Sequence, residues 1–420
     1  MQTLSKNTLL HYSLLAIALS IIGLPLYIYL PTFYVKDVGI DIAVVGALLF
    51  VARLTDIFTD PFFGYLSDKS VERFGSRKPV MIVGAFILIV SFYALINPNS
   101  EYPKSWLFCF SILVYAGWSM INIPYLTWSS EISPCYDDKT ILNSSRELFA
   151  IIGVLIALII PYIYQVSENP QETLNILYLS FLLLFVPFFL LSMRKIIIHT
   201  NVQRSSFSFV RIGTVYKNIP ELKFLQIGYF FNNLANAFPA TLFLLFIELV
   251  IQEKELSGLV LILYFLAGVV ALPFWYKLAN GIGKKKAWMS SILLAVSAFV
   301  FVPFLESGDL TAFIVISLVS GLSLGADMAL PTSIQSDVVQ KTKIFDLSIS
   351  GLLFGIWTMI TKFTLALAVA LSFILLGFFD FEASDPSATS LFVLSFLYGL
   401  VPVFLKITSL YFISRYSDQR

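Results

Sequence analysis

Long apolar segments follow one another along almost the whole chain, separated by short polar stretches. A helix that spans a membrane needs about 20 mainly apolar residues, and segments of that length predict twelve transmembrane helices. Their predicted limits are 9–34, 42–66, 80–97, 105–128, 147–165, 174–193, 222–249, 257–279, 287–305, 311–338, 349–378 and 389–413. The first segment is too long for a cleaved signal peptide and lacks a small-residue cleavage site, so we expect it to span as well.

The composition supports an all-α polytopic membrane protein. Hydrophobic residues make up 58% of the chain and charged residues only 13%, and the mean hydropathy is +0.85. A water-soluble domain carries roughly twice that charged fraction. The net charge of +1 gives no reason to expect a nucleic-acid partner. Cys109 lies in an apolar segment and Cys135 in a polar loop, so a disulfide framework is not expected.

The basic residues predict the orientation of the chain, because cytoplasmic loops carry an excess of lysine and arginine. Loops after even-numbered spans and both chain ends hold most of them, whereas loops after odd-numbered spans hold Lys36, Lys104 and Lys254. Both termini are therefore predicted to be cytoplasmic. The longest polar stretch, 194–221, is predicted to be a cytoplasmic linker. It divides the chain into two six-helix halves, residues 1–193 and 222–420.

A repeat between the halves supports this division. The motif P-F-F-G-Y-L-S-D, which leads to F-G-S-R-K at Lys78, is echoed by P-F-W-Y-K-L-A-N-G-I-G-K-K-K at Lys286. Each copy follows the second span of its half and combines a helical proline with a glycine and a basic cluster. Two parallel six-helix halves are the architecture of one large transporter class, which holds its substrate between the halves.

Three charged residues interrupt the second apolar segment, namely Arg53, Asp56 and Asp60. Each costs about 2.5–3.5 kcal/mol at the centre of a spanning helix, so they are expected to face the protein interior. At about 100° per residue all three share one helix face. Two neighbouring carboxylates resist ionising together unless a sodium ion or a proton joins them. Thr59 and Ser119 could add hydroxyl oxygens. The alternative is an ion pair that only holds helices together.

Several motifs resemble a known family. The stretch G-Y-L-S-D-K-S-V-E-R-F-G-S-R-K resembles the loop signature of the major facilitator superfamily, G-x-x-x-D followed by R-x-G-R-K. With A-R-L-T-D-I-F-T-D-P upstream, it resembles the glycoside-pentoside-hexuronide:cation symporter family. The stretches S-P-C-Y-D-D-K-T-I-L-N-S-S-R-E and G-L-L-F-G-I-W-T-M-I-T-K match the same family. The resemblance implies the major facilitator fold and cation-coupled symport of a small organic solute, above all a sugar or glycoside, by alternating access.

The resemblance also implies roles for single residues. Asp56 and Asp60 match the family's cation ligands, and Lys362 matches a lysine near the cation site. Our hypothesis is that Lys362 pairs with the acids when the cation is absent. Arg146 matches an arginine that helps to line the cavity, although it could equally be a cytoplasmic anchor. The residues expected to latch the cytoplasmic side are Gly64, Asp68, Arg73, Gly75, Arg77 and Lys78.

The solute is less well indicated, because the chain departs from the family pattern. Ser20 and Asn122 stand where sugar-transporting members have acids, although both can still bond hydroxyl groups. Asp327, an acid within the tenth span, could anchor a solute instead. Asn232 and Asn236 either line the cavity or join helices. The candidate cavity residues are Ser20, Asn122, Arg146, Asp327, Asn232 and Asn236. Related eukaryotic carriers with the same cation motif move lysolipids, so an amphipathic solute is the alternative.

No constellation for enzymatic chemistry is present in the sequence. His11 and His199 have no cysteine or carboxylate at metal-ligand spacing, and neither a phosphate-binding loop nor a nucleophile elbow occurs. We expect no cofactor, with sodium or a proton as the coupling ion, and as partners a small-molecule solute and the lipid bilayer. A monomer in a bacterial inner membrane is expected. Lys406, in the last span, could snorkel to the membrane surface. A channel and a non-transporting solute receptor are the alternatives.

Overall fold

The computed structural model describes residues 4–23, 26, 29–164, 166, 169–196, 209–342, 349–379 and 387–417. Helices account for nearly all of these residues, and no β-strand occurs among them. Residues 197–208 of the predicted linker lie outside the described residues, as do residues 24, 25, 27 and 28 of the first predicted span and residue 165 of the fifth.

The α-helices follow one another in the order in which the apolar segments predict them. They are α1 (Lys6–Ile21), α2 (Leu30–Lys36), α3 (Ile42–Phe74), α4 (Lys78–Ile96), α5 (Pro103–Glu131), α6 (Tyr136–Ile163), α7 (Pro170–Lys195), α8 (Phe209–Asn218), α9 (Glu221–Phe246), α10 (Ser257–Ile282), α11 (Lys284–Phe299), α12 (Leu310–Thr342), α13 (Ser350–Phe378), α14 (Ala388–Ser395) and α15 (Val401–Arg415). A π-helical turn, Ile247–Ile251, continues α9, and another, Phe396–Leu400, joins α14 to α15. Short 3₁₀ turns occupy Lys254–Leu256 and Val302–Phe304.

Ten helices in the described part of the chain are long and apolar enough to cross a membrane. They correspond to the third to twelfth predicted spans. Helix α3 is not among these ten, although its 33 residues extend about 50 Å. Its middle carries the charges of Arg53, Asp56 and Asp60.

The chain forms two compact units. The first contains Met1–Ser208 and Ser336–Met359, and the second contains Phe209–Gln335 and Ile360–Arg420. The end of α12 and the first turns of α13 therefore belong to the first unit. Each unit has a hydrophobic core of its own. In the second core, the rings of Phe246 and Tyr398 stack with centroids 4.2 Å apart.

Glycines bring the start of α13 directly onto α3 within the first unit. A Cβ atom at Gly351 would lie 2.5 Å from the carbonyl oxygen of Gly64. A Cβ atom at Gly355 would lie 2.6 Å from the carbonyl oxygen of Asp60. No side chain fits at either position without movement of the backbone, so the two helices touch through their main chains. This contact places α13 beside the charged stretch of α3.

Candidate functional site

The charged stretch of α3 lies in the interior of the first unit. Asp56 and Asp60 are 3% and 0% exposed. One carboxylate oxygen of Asp56, Oδ1, accepts a hydrogen bond from Ser119 Oγ on α5, with 3.1 Å between the atoms. The other, Oδ2, lies 3.4 Å from Nη1 of Arg53. Asp56 therefore connects a hydroxyl from a neighbouring helix with the arginine one turn away.

Arg53 also contacts an aromatic ring. Its guanidinium carbon lies 5.1 Å from the ring centre of Tyr115 on α5, within the range of a cation–π interaction. The Arg53 side chain remains 23% exposed, whereas that of Asp56 is 1% exposed. Arg53 thus occupies the wetter edge of the cluster, and the two acids occupy its dry part.

The atoms at this site that could bind a cation are all oxygen atoms. Thr59 donates its hydroxyl to the carbonyl oxygen of Asp56 over 3.2 Å, so its own oxygen is held on the same turn as the acids. No group of three or more His, Cys, Asp or Glu residues suited to a metal ion occurs in the described part of the chain. Carboxylate, hydroxyl and carbonyl oxygens suit a sodium ion or a proton far better than a transition metal.

A second charge cluster lies where α3 meets α4. Arg77 binds Asp68 over 2.8 Å and Glu131, at the end of α5, over 2.8 Å. It also donates to Ser67 Oγ over 2.7 Å. Burial lowers the pKa of Arg77, but the adjacent Glu131 and Asp68 carboxylates raise it more, so its net pKa lies above the ordinary value. Arg77 therefore stays charged and joins the two acids.

Asp68 in addition caps the start of α13. Its two carboxylate oxygens accept hydrogen bonds from the backbone N–H groups of Gly351, over 2.7 Å, and Leu352, over 2.9 Å. The first N–H groups of a helix have no partner within the helix, and the helix dipole favours a negative charge there. Gly64 lies buried next to Gly351. Asp68, Arg77 and Glu131 together therefore hold α13, α3 and α5 at one point.

The other residues predicted for the cytoplasmic latch lie around this cluster. Lys78 donates to the carbonyl oxygen of Met193 over 2.7 Å. Gly75, with a φ of 70°, ends α3 in a left-handed turn that favours glycine. Arg73 is exposed, and its guanidinium carbon lies 5.3 Å from the ring centre of Phe74.

The sequence reasoning missed a further pair of contacts in the first unit. Lys139 on α6 binds Asp337 near the end of α12 over 3.0 Å. Ser336, the residue before Asp337, shares a hydrogen bond of 2.7 Å with Ser129 between the two hydroxyl oxygens. Glu131 was missed as well. The sequence does indicate that these acids can form ion pairs, because acids at the ends of apolar segments lie close to the basic residues of nearby loops. Which acid pairs with which base depends on the tertiary structure.

The cavity residues predicted in the first unit lie on three helices. Ser20, at the end of α1, and Asn122, within α5, are partly buried. Arg146 on α6 is 8% exposed and forms an ion pair with the adjacent Glu147. Burial of a paired arginine in this way fits a cavity or packing role better than a role as a surface anchor.

The second unit contains a buried polar cluster around Asp327 of α12. Its carboxylate accepts hydrogen bonds from Trp288 over 2.9 Å, from Asn236 over 3.0 Å and from Lys406 over 3.1 Å. Lys406 also donates to Oδ1 of Asn232 over 3.0 Å. The structure thus brings together Asp327, Asn232 and Asn236, three of the predicted cavity residues.

Lys406 does not extend to the membrane surface, as the sequence suggested it could. Its side chain is 2% exposed and that of Asp327 is 6% exposed, because the ammonium group bonds inward to the acid and to Asn232. An ionisable residue within a spanning segment is by default a functional candidate, and this signal was present in the sequence.

Lys362, on α13, is 6% exposed.

The chain is similar to known transport proteins along almost its whole length. A family model described as "MFS/sugar transport protein" matches residues 11–419. The uncharacterised symporter YnaJ of Bacillus subtilis is 24% identical, and the match covers 93% of this chain and 87% of that protein. The glucuronide carrier protein homologue of Escherichia coli is 22% identical, with 91% and 86% covered.

Two further similarities extend this picture. The sodium-dependent lysophosphatidylcholine symporter 1 of Mus musculus is 21% identical, with 90% of this chain and 80% of that protein covered. The crystal structure of the E. coli fucose:proton symporter FucP superposes with a TM-score of 0.71 at 11% identity, with 98% of both chains covered. The latter match confirms the predicted all-α polytopic fold.

These matches agree with the family that the sequence motifs indicate, and they are to transporters and not to enzymes. The family model covers the charged stretch of α3, the loop cluster at Arg77 and the polar cluster at Asp327 alike. By this match, the chain is a member of the MFS/sugar transport protein family.

Proposed function

We propose that this protein is a secondary active symporter that moves a small organic solute, a sugar or glycoside, together with a sodium ion or a proton. The observation that carries the proposal is the pair of buried acids, Asp56 and Asp60, on one face of a membrane-spanning helix. Burying two ionisable side chains within a membrane-spanning segment costs free energy, and such residues commonly line ion or substrate pathways. The family and its symporter relatives support the same conclusion.

Coupling follows from the charge balance of this site. When the cation is absent, the negative charges of the two carboxylates repel each other. A sodium ion or a proton relieves this repulsion, so the cation-loaded and empty carriers differ in charge. A membrane potential of 100 mV acting on one such charge supplies about 2.3 kcal/mol. This energy can drive the solute against its own gradient if both bind to the same conformation.

Lys362 is proposed as the internal substitute for the cation. Its ammonium group is one positive charge that would neutralise a carboxylate while no ion is bound, and the ion would then displace it. Such a competition lets the empty carrier return without carrying an uncompensated charge across the membrane.

The cluster at Asp68, Arg77 and Glu131 is proposed as the cytoplasmic gate. In alternating access, the contacts that close one side of the carrier must break when that side opens. This cluster provides such contacts, because Asp68 holds the start of α13 through two backbone N–H groups. The ion pair of Lys139 and Asp337 adds a second tie between α6 and α12. The distribution of basic residues favours a cytoplasmic position for this side and for both termini, in a bacterial inner membrane.

A lysolipid-like solute is the second candidate. The specific observation in its favour is the similarity to the lysophosphatidylcholine symporter over 90% of this chain. The two candidates differ in charge, because a lysophospholipid carries a phosphate group and a simple sugar or glycoside need not be charged. Transport assays with both solute classes would therefore separate them.

The proposal is tested by cation binding to the purified protein in the absence of solute. Heat release and the thermal midpoint are followed while sodium and pH are titrated, first for the wild-type protein and then for Asp56→Asn. The matched control is Asp37→Asn, which removes an exposed carboxylate at the end of α2. We expect a response to sodium or to pH in the wild type and the control and none in Asp56→Asn. If neither ion affects the wild type, the acids are structural and the symport mechanism is wrong.

A further inference from the structure

A cavity of about 360 Å³ lies entirely within the second unit. Its volume is at the lower end of the range typical of small-molecule sites, roughly 300–1,000 Å³. Aromatic side chains form much of the wall, namely Phe243, Tyr264, Phe265, Phe299 and Tyr398. Asp327 and Lys406 lie at the lining as well. The cavity thus combines an apolar body with one polar end, which is the usual composition of a ligand site.

The charges at the polar end neutralise each other. Asp327 and Lys406 lie 3.1 Å apart, and they are the only Asp, Glu, Lys or Arg residues among the described residues of the lining. The Asp327 carboxylate already accepts from Trp288, Asn236 and Lys406. A charged solute would therefore lose its water in an apolar cavity without gaining a counter-charge of its own. The site favours an uncharged molecule.

Hydrogen-bonding capacity nevertheless remains at this end. A lysine ammonium group has three N–H donors, and Lys406 uses two of them, toward Asn232 and Asp327. Asn236 uses one N–H of its amide toward Asp327. The remaining donor of Lys406 and the remaining amide groups of Asn236 suit hydroxyl groups, which can both donate and accept.

A row of serines continues this capacity along the cavity. Ser317, Ser320 and Ser323 are three residues apart on α12, so they share one helix face, and all three line the cavity. Ser320 donates back to the carbonyl oxygen of Ser317 over 3.1 Å. Ser323 is 1% exposed, and its Oγ has no hydrogen-bond partner among the described residues. A buried polar atom without a partner is uncommon in proteins, and a ligand hydroxyl would provide one.

We infer that this cavity binds an uncharged glycoside with an apolar aglycone. The sugar hydroxyls bind Lys406, Asn236 and Ser323, and the apolar aglycone packs against the aromatic wall. The inference rests on the proposed function and narrows its solute class. It places a solute-binding site within the second unit itself, and it excludes phosphate-bearing solutes from this site.

Direct binding measurements test the inference without any ion gradient. The purified full-length protein, in lipid nanodiscs, is titrated calorimetrically with phenyl β-D-glucoside, phenyl β-D-galactoside and phenyl β-D-xyloside, and with the three matching methyl glycosides. We expect at least one phenyl glycoside to bind at least tenfold more tightly than its methyl counterpart, because only the phenyl group reaches the aromatic wall.

Two serine variants locate the binding. Ser323→Ala is expected to weaken binding of that phenyl glycoside by about three- to tenfold, the loss of one hydrogen bond. The matched control is Ser372→Ala on α13. Ser372 is also buried, its Oγ likewise has no hydrogen-bond partner among the described residues, and it lies outside the described lining. Ala295→Leu, which fills part of the cavity, should weaken binding further, with the thermal midpoint as the check on folding.

Three results would overturn the inference. They are equal affinity in Ser323→Ala and Ser372→Ala, absence of binding for all six glycosides, and displacement of the phenyl glycoside by lysophosphatidylcholine with an affinity unaffected by Ala295→Leu. None of them concerns the cation site. The sodium and pH titration of the same preparation reports separately on the proposed symport mechanism.

Discussion

Ser119 donates a hydrogen bond to Oδ1 of Asp56 over 3.1 Å, between two side chains that are both almost fully buried. The bond joins α5 to α3 across 63 residues of sequence. A hydroxyl group is both donor and acceptor. It can therefore stabilise the ionised acid when no cation is present, and it can rotate to offer a lone pair when one binds.

The first prediction concerns this hydroxyl. Ser119→Ala is expected to weaken cation binding by about three- to tenfold, because one oxygen ligand is lost while both acids remain. Sodium and pH titrations followed by the thermal midpoint measure the effect. Ser111→Ala is the matched control, since Ser111 lies buried on the same helix and its hydroxyl has no hydrogen-bond partner among the described residues. Equal cation affinity in both variants would remove Ser119 from the site.

The second prediction concerns the internal positive charge on α13. Lys362→Ala is expected to abolish cation-dependent uptake into proteoliposomes, because the empty carrier would return with uncompensated acids. Exchange of labelled solute between two cation-loaded compartments should be less affected, since exchange does not need the empty carrier to return. Lys286→Ala, at an exposed position, serves as the control. Full retention of net uptake in Lys362→Ala would disprove this role.

The third prediction concerns the charge cluster of Asp68, Arg77 and Glu131, where α3 meets α4. Arg77→Ala leaves the buried acids Asp68 and Glu131 without their cation, and removal of one partner from a buried ion pair costs about 3–5 kcal/mol. We therefore expect a clear drop in the thermal midpoint and greater accessibility of cysteines introduced near the start of α13. Arg73→Ala is the comparison, because Arg73 is exposed and its loss should change stability by less than about 0.5 kcal/mol. Equal thermal midpoints for Arg77→Ala and Arg73→Ala would contradict the proposed role of Arg77 in the gate.

The fourth prediction concerns the main-chain contact between α13 and α3. Gly355→Ala would place a Cβ atom 2.6 Å from the carbonyl oxygen of Asp60, and overpacking of this kind costs about 1–3 kcal/mol. We expect a lower thermal midpoint and weaker cation binding, because the displaced segment of α3 carries the acids. Gly377→Ala on the same helix has open space around its Cβ position, and it should be neutral or slightly stabilising. An unchanged thermal midpoint and unchanged cation binding in Gly355→Ala would show that α13 can shift to make room for the added methyl group.

The candidate cation site is predictable from sequence to a large extent, because its charged residues on α3 lie on one helix. Arg53, Asp56 and Asp60 are spaced by three and four residues, so helix geometry alone places them on one face. The cost of charge in an apolar segment then predicts that this face is buried. The second unit shows the opposite case. Lys406 and Asp327 are 79 residues apart, and no periodicity in either helix indicates that they meet.

The sequence by itself determined the order of the apolar helices, the membrane environment and the position of the charged stretch in α3. These features depend on local length, hydropathy and helical period. Only the tertiary structure decided which side chains from different helices meet, such as Asp68 with the start of α13, Glu131 with Arg77, and Lys406 with Asp327. Such contacts depend on how closely two helices approach and at which register. In this chain small residues such as Gly64 and Gly355 permit that approach, through packing that no single helix encodes.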